Sequence, residues 1–210
     1  MKNILHITSS LNSSDSFSNK LSQTIADKLL AEFPDSTITR RDLLKTSVPH
    51  LGAPEFEAFR ILPEERTELQ KSAVEISDQL THELMDSDII VIGVPLYNFG
   101  IPSVLKAWLD HIVRAGITFK YSEKGVEGLV RNKKVYLAIS SGGVYSEGPM
   151  KSFDFTEPYL RAVLGFIGLT DVTTFRVEGI FIPEIGKVQI EKGFGAVKAF
   201  DFKEISAVAA

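Results

Sequence analysis

The stretch Asp88–Asp110, DIIVIGVPLYNFGIPSVLKAWLD, decides how the chain is built. Residues 88–95 form a continuous β-branched run, the pattern of a strand covered on both faces. Residues 102–114 read as a helix, with Pro102 suited to its first turn. Between them lies Leu96-Tyr97-Asn98-Phe99-Gly100, an aromatic-rich turn bracketed by Pro95 and Pro102. Large aromatics are normally placed in a core, so two of them flanking an asparagine in an exposed turn suggest a flat partner. The plainer reading is that the rings cap the core beneath, with Gly100 supplying the tight turn.

The same alternation continues on either side. Residues 3–8 (NILHIT) are a short apolar run ending in a Ser/Asn cluster, the pattern of a buried strand. Helical spacing runs over 19–33 through Leu21, Ile25, Leu29, Leu30 and Phe33, and Pro34-Asp35 stops it. A β-branched segment at 37–41 predicts a second strand. Prolines and a glycine then break any period from 43 to 63, and helical spacing returns over 64–86 through Leu69, Ala73, Ile76, Leu80 and Leu84. After the central stretch comes an aromatic, glycine-rich segment, ITFKYSEKGVEGLV. A strand is expected at 134–140, a helix at 156–168, a strand at 172–178 and a last helix after Pro183. This alternation predicts right-handed crossovers and an α/β fold, a mainly parallel sheet with helices on both faces. Five strands suit the order 2-1-3-4-5 better than the six-stranded dinucleotide fold. No repeat or linker composition appears, so residues 1–210 are expected to form a single domain.

Composition narrows the function classes. The chain has 210 residues, 44% hydrophobic and 24% charged, with a formal net charge of −4. No basic block stands out, which argues against nucleic acid as a partner. The nearest, Arg131-Asn132-Lys133-Lys134, reads as a solvated turn. Cysteine is absent, which removes disulfides, thiolate nucleophiles and cysteine metal sites and fits a reducing compartment. The apolar start is too short for a signal peptide or a membrane span, so a cytoplasmic protein without a membrane partner is expected.

In such sheets a ligand sits beyond the carboxyl ends of the strands, where three loops are expected to meet. The first, SSLNSSDSFSNKLS (9–22), holds seven serines and leads into a helix, expected to start near Ser18-Asn19. Unsatisfied amides at a helix start, with serine hydroxyls, can hold a phosphate without Lys or Arg; a simple N-cap by Ser18 or Asn19 is the bland alternative. No G-x-x-x-x-G-K-[ST] and no G-x-G-x-x-G follows the first strand, so a mononucleotide phosphate is what this loop can take. The second loop is the aromatic turn, where Tyr97 and Phe99 would pack around a flat ring and Asn98 would meet its heteroatoms. The third, SSGGVYSEG (140–148), offers Gly142-Gly143 for close backbone approach and Tyr145 as a cover, or else is a plain glycine-rich turn.

Together these residues resemble the FMN-dependent NADH:quinone oxidoreductases known as azoreductases, of the flavodoxin-like superfamily. The likeness rests on Ser9-Ser10 with Ser16-Phe17-Ser18-Asn19, on Pro95 to Phe99 with Pro102 and Leu105-Lys106, and on RAGITFKYSEKGVEGL. It extends through Ser141-Gly142-Gly143, EPYLRAVLGFIGLTDV and Glu178-Gly179. The resemblance implies that Ser10, Ser16, Phe17 and Ser18 hold the phosphate and ribityl chain of a bound FMN. It places the isoalloxazine against Leu96, Tyr97, Asn98, Phe99, Ser140, Ser141, Gly142 and Gly143. It further implies ping-pong hydride transfer from NADH or NADPH to quinones and aromatic azo compounds, in a homodimer whose partner chain lines the pocket with Tyr121 and Phe166. Tyr145 borders that pocket. Some relatives carry Arg in place of Ser141 and His in place of Tyr145, so substrate range does not transfer from any one of them.

No side chain is assigned as a catalytic acid or base, since water can protonate a reduced quinone. The histidines receive structural readings. His6 is expected to be a satisfied near-core residue, His82 lacks the second histidine of a zinc helix, His111 suits a helix end as a cation, and His50 has no evident partner. No metal site is supported. Trp108 and residues 117–121 are read either as an interface or as plain core. Two other classes stay open: a flavodoxin-type electron carrier, usually smaller and more acidic, and a hydrolase, for which no G-x-S-x-G or cysteine is present.

Overall fold

The computed structural model describes residues 1–12 and 15–203; Ser13 and Ser14 of the serine loop, and residues 204–210, lie outside the described residues. The chain runs β1 (Asn3–Thr8), α1 (Phe17–Glu32), β2 (Thr37–Asp42), α2 (Ala53–Ala58), α3 (Glu68–Asp86), β3 (Ile89–Pro95) and α4 (Ser103–Ile112). It continues with β4 (Phe119–Ser122), β5 (Gly125–Gly128), β6 (Lys134–Ser140), α5 (Glu157–Phe166), β7 (Val172–Val177) and α6 (Gly186–Ala199). Five strands form one sheet in the order β2-β1-β3-β6-β7, every pair parallel. This is the expected 2-1-3-4-5 order, counted along the sheet, of the flavodoxin-like fold.

Period-two alternation assigns each strand side chain to a face. Ile89 and Val91 join Leu21, Ile25 and Leu29 of α1 and Val197 of α6. Ile90, Ile92 and Val94 pack instead with Leu80 and Leu84 of α3, Trp108 of α4 and Leu160 of α5. β3 is buried along its whole length, which is why its sequence shows no polar alternation. Trp108 is core. Register places Thr8 beside Gly93, Pro95 beside Ser140 and Ser140 beside Val177, so the loops after β1, β3, β6 and β7 leave one edge of the sheet.

Several elements differ from expectation. The segment 117–130 contains an antiparallel hairpin, β4 against β5, and the 43–63 connection contains α2. Leu69 is exposed in the first turn of α3, whose apolar stripe begins at Val74. The basic run is not freely solvated. Arg131 pairs with Glu127 and Lys134 with Asp171, while Lys133 donates to the carbonyls of Met85 and Ser87. Among the described residues no helix is long and apolar enough to cross a membrane, and no metal-binding cluster of His, Cys, Asp or Glu forms.

His111 lies in the last turn of α4, where it was expected. It is buried, and its Nε2–H donates to the carbonyl of Pro49 at 3.0 Å. His6 is satisfied in the core, as expected. The Arg40 guanidinium, which can only donate, reaches His6 Nδ1 at 3.0 Å. His6 Nε2 therefore carries the proton and donates to Ser22 Oγ at 2.9 Å, whose own hydrogen goes to the Asn19 carbonyl. Burial first, and then the Arg40 charge, lower the His6 pKa from 6.5 to about 4. Between these values the unfolded chain binds the extra proton and the folded chain does not, so stability falls as pH drops through this window. We expect urea unfolding to show a His6 contribution about 2 kcal/mol smaller at pH 5 than at pH 7.5; the pH dependence should flatten by that amount in His6→Gln.

Candidate functional site

Helix α1 starts at Phe17, one residue earlier than expected, because Ser16 is its cap. Ser16 Oγ accepts from the Asn19 amide at 3.2 Å, and the Lys20 amide takes the Ser16 carbonyl at 3.0 Å. The amides of Phe17 and Ser18 have no partner among the described residues. The Ser16 and Ser18 hydroxyls share a hydrogen bond at 2.9 Å. This first turn lies against β3 at Gly93, where a Cβ would stand 2.8 Å from Ser22 Oγ and 3.1 Å from the Ser18 carbonyl oxygen. Ser9 Oγ donates to the Gly93 carbonyl at 2.8 Å, fixing the loop's start to the same strand.

The aromatic turn is closed by two hydrogen bonds between Tyr97 and Gly100, each 3.0 Å. Its central residues are Asn98, with φ 49°, and Phe99, with φ 68°. This corrects the role given to Gly100: its φ is not positive, and a Cβ there would meet open space. Asparagine enters the left-handed region readily, but phenylalanine does so at a cost of about 1–2 kcal/mol. Its neighbours hold it there. The Phe155 amide donates to the Phe99 carbonyl at 3.0 Å, and the Phe99 ring lies 5.4 Å from Phe153 and 6.3 Å from Tyr145 between centroids. Tyr97 Oη shares a 3.2 Å hydrogen bond with Ser10 Oγ, linking the first two loops.

The third loop is fastened to the one after β7. The Gly179 amide donates to the Gly143 carbonyl, the Phe181 amide to Gly142 and the Ile180 amide to Ser141, at 3.0, 3.0 and 3.3 Å. A Cβ on Gly142 would come within 2.5 Å of the Phe181 ring, so this position stays small to let Phe181 lie over the loop. Gly142 and Gly143 have amides without a partner among the described residues. Glu178 accepts at Oε1 from the Tyr145 and Ser146 amides at 2.9 and 3.0 Å.

These loops surround a cavity of about 370 Å³. Ser10, Ser16 and Phe17 line one end, Leu96 and Tyr97 one wall, and Ser140, Ser141 and Gly142 another. The Ser18 side chain lies behind this surface, fully buried. Asn98 faces an adjoining apolar groove of about 850 Å³ that shares Tyr97. Tyr145 lines a neighbouring cleft with Arg176 and Asp154. Tyr121 and Phe166 line none of these; both pack on Phe119, at centroid distances of 5.5 and 4.7 Å, and are 73% and 38% exposed. Sequence reasoning missed Ile180 and Phe181, which close the cavity from the β7 side. The Glu178-Gly179 pair was the one signal that this loop belongs to the site.

The arrangement suits a flat ligand carrying a phosphate. The Ser16 hydroxyl and two amides without a partner among the described residues lie at the positive end of a 16-residue helix, and the rest of the wall is largely apolar. Among the described residues no Lys or Arg lines this cavity, and Asp15 in its lining is tied to Lys20.

A family model described as flavodoxin-like fold matches residues 2–199. An FMN-dependent NADH:quinone oxidoreductase of Herminiimonas arsenicoxydans is 49% identical over 180 residues, covering 86% of this chain and 88% of that protein. The chain belongs to the FMN-dependent NADH:quinone oxidoreductase family. A second family member, from Beijerinckia indica, is 45% identical over 94% of this chain and 98% of its own length. Among solved structures, an azoreductase from Bacillus anthracis superposes with a TM-score of 0.88 at 30% identity, covering 94% of this chain and 97% of its own. An FMN-dependent NADH-azoreductase of the same species, crystallised with FMN, gives 0.81 at 25% identity, covering 94% and 98%.

The backbone strain of the turn is open to test. Asn98→Gly should leave the stability of the FMN-free protein unchanged or raise it by up to about 1 kcal/mol. Asn98→Val, β-branched in a left-handed position, should cost about 2 kcal/mol or more. Urea denaturation of both variants measures the difference.

Proposed function

We propose that this chain binds FMN in the 370 Å³ cavity and uses NADH to reduce quinones and aromatic azo compounds. The observation that carries the reading is that one cavity joins the start of α1 to the aromatic turn. Ser10 and Ser16, with the Phe17 and Ser18 amides, would hold the phosphate and ribityl chain. The ring system would lie between Leu96 to Phe99 and Ser140 to Gly143, with the Gly142 and Gly143 amides available to its polar edge. When bound, FMN supplies two-electron redox chemistry, accepting hydride from the nicotinamide and delivering it to the acceptor in ping-pong order.

The chain's own contribution is placement. Neutral donors would hydrogen-bond the phosphate, Tyr97 separates the cofactor cavity from the larger groove, and backbone donors would stabilise charge where it develops. No side chain is assigned a proton transfer. The names of the relatives support quinones and azo compounds as acceptors. The exposed Tyr121 and Phe166, grouped on Phe119, support a homodimer in which each chain's aromatic face meets the other's pocket. The whole chain is read as one flavin-binding domain, and its lack of cysteine fits a cytoplasmic setting.

The purified protein should show a flavin spectrum that bleaches on anaerobic addition of NADH, and light scattering should give twice the chain mass. A flavin that stays oxidised with both NADH and NADPH would favour an electron carrier; failure to bind added FMN would overturn the reading. Ser16→Ala should raise the dissociation constant for FMN about tenfold, the worth of one charge-assisted hydrogen bond. The same change should leave riboflavin, which has no phosphate, within about twofold. Fluorescence titration of both ligands separates a lost phosphate contact from a general disturbance of the site.

A further inference from the structure

Beside the cofactor cavity lies a half-buried charge cluster that the proposed chemistry does not use. Arg176, near the end of β7, donates to three carboxylates. Its Nη2 reaches Asp154 Oδ2 at 2.5 Å and Glu157 Oε2 at 2.6 Å, and its Nη1 reaches Glu178 Oε1 at 3.2 Å. Arg161 and Thr174 also donate to Glu157, at 2.8 and 2.7 Å. Burial alone would raise the Glu157 pKa, but hydrogen bonds from Arg176, Thr174 and Arg161 outweigh it and hold the carboxyl below its usual range. The Arg176 side chain is only 14% exposed, so the cluster is a fixed internal structure and not a loose surface pair.

Each of two carboxylates also holds backbone. Glu178 Oε1 accepts the Tyr145 and Ser146 amides. Asp154 Oδ1 accepts the Thr156 and Glu157 amides at 2.9 and 3.2 Å, setting the start of α5. The residue between, Phe155, donates its amide to Phe99, the strained member of the aromatic turn. Arg176 thus clamps the Tyr145 loop on one side and the Phe153–Phe155 segment on the other. The rings those segments carry, Tyr145 and Phe153, are the ones packed on Phe99.

We propose that Arg176 and Glu178 are positioning residues that set the aromatic wall of Phe99, Tyr145 and Phe153, and through it the affinity for the flat acceptor. The inference rests on the flavin-dependent reading for the acceptor's place, though the clamp itself does not need a flavin. Cutting the clamp leaves the phosphate end of the cavity untouched, because none of its residues reaches Ser10, Ser16 or the start of α1. The wall then loses its register, and a misplacement of about 1 Å is enough to weaken a positioned acceptor measurably.

Glu178 offers the cleanest test, since Arg176→Met leaves buried carboxylates without their cation and puts folding itself at risk. Glu178→Gln keeps a side-chain oxygen that accepts both amides, whereas Glu178→Ala removes it. Hydrogen exchange is read on the peptide containing Tyr145 and Ser146, in the purified protein with and without added FMN. Glu178→Ala should speed exchange there roughly tenfold, and Glu178→Gln should stay within about twofold of the parent. In steady-state assays with 1,4-naphthoquinone, Glu178→Ala should raise the quinone KM roughly tenfold. The rate of flavin reduction by NADH and the FMN dissociation constant should stay within about twofold, and Glu178→Gln should restore the quinone KM. Unchanged exchange in Glu178→Ala would overturn the proposal, as would faster exchange with an unchanged quinone KM. A parent protein that does not oxidise NADH would instead sink the flavin reading, and the exchange experiment would still decide whether Glu178 holds the loop.

Discussion

A side chain at position 93 would push its Cβ to 3.1 Å from the Ser18 carbonyl and 2.8 Å from the Ser22 hydroxyl, so α1 lies this close to β3 only because that residue is glycine. The approach fixes where the helix begins and therefore where its free amides gather. Ser9 donates to the carbonyl of the same glycine, and Ser22, the residue nearest to it, also accepts the Nε2–H of His6. The core, the capping of α1 and the α1 end of the cavity thus share one contact between a helix and a strand. Registering β3 against β6 then brings Ser140 level with Pro95, which aligns the remaining loops with it.

Much of this was legible in the sequence where a periodic signal was long. β3 is seven residues without a polar side chain, and α1 repeats its apolar positions over four turns, so both elements and their order could be read. The short elements could not. β4 and β5 are four residues each and carry glycines and charges, and they are held by cross-strand pairing that no local pattern reports. Trp108 illustrates an ambiguity of the same kind, since a large aromatic at helical spacing reads equally as core or contact until its neighbours are known.

At the site, composition named the loops but not their conformation. Asn-Phe-Gly invites the assignment of the left-handed residue to glycine, yet Asn98 and Phe99 take it. The reason is tertiary: the Phe99 carbonyl and ring are held by a segment more than fifty positions later in the chain, and no reading of the turn alone contains that information. Phe181 was missed for a related reason. It is 84% exposed and follows no periodic element, and only the hydrogen bonds between the loops after β6 and β7 bring it over Gly142. Conversely, the serine loop was read correctly as a helix start because capping chemistry is local, though the capping residue proved to be Ser16.

The donor set where α1 begins has a consequence for how the proposed site would meet its medium. Its donors are hydroxyls and peptide amides, with no Lys or Arg along the wall among the described residues. Mobile ions weaken attraction between full charges across solvent far more than they weaken short hydrogen bonds. An anion held there as proposed would be retained by shape and donor geometry, with a weaker dependence on ionic strength than a ligand on a basic surface. On the proposed binding mode, the fold's hold on a charged group would depend on salt far less than a basic surface's does.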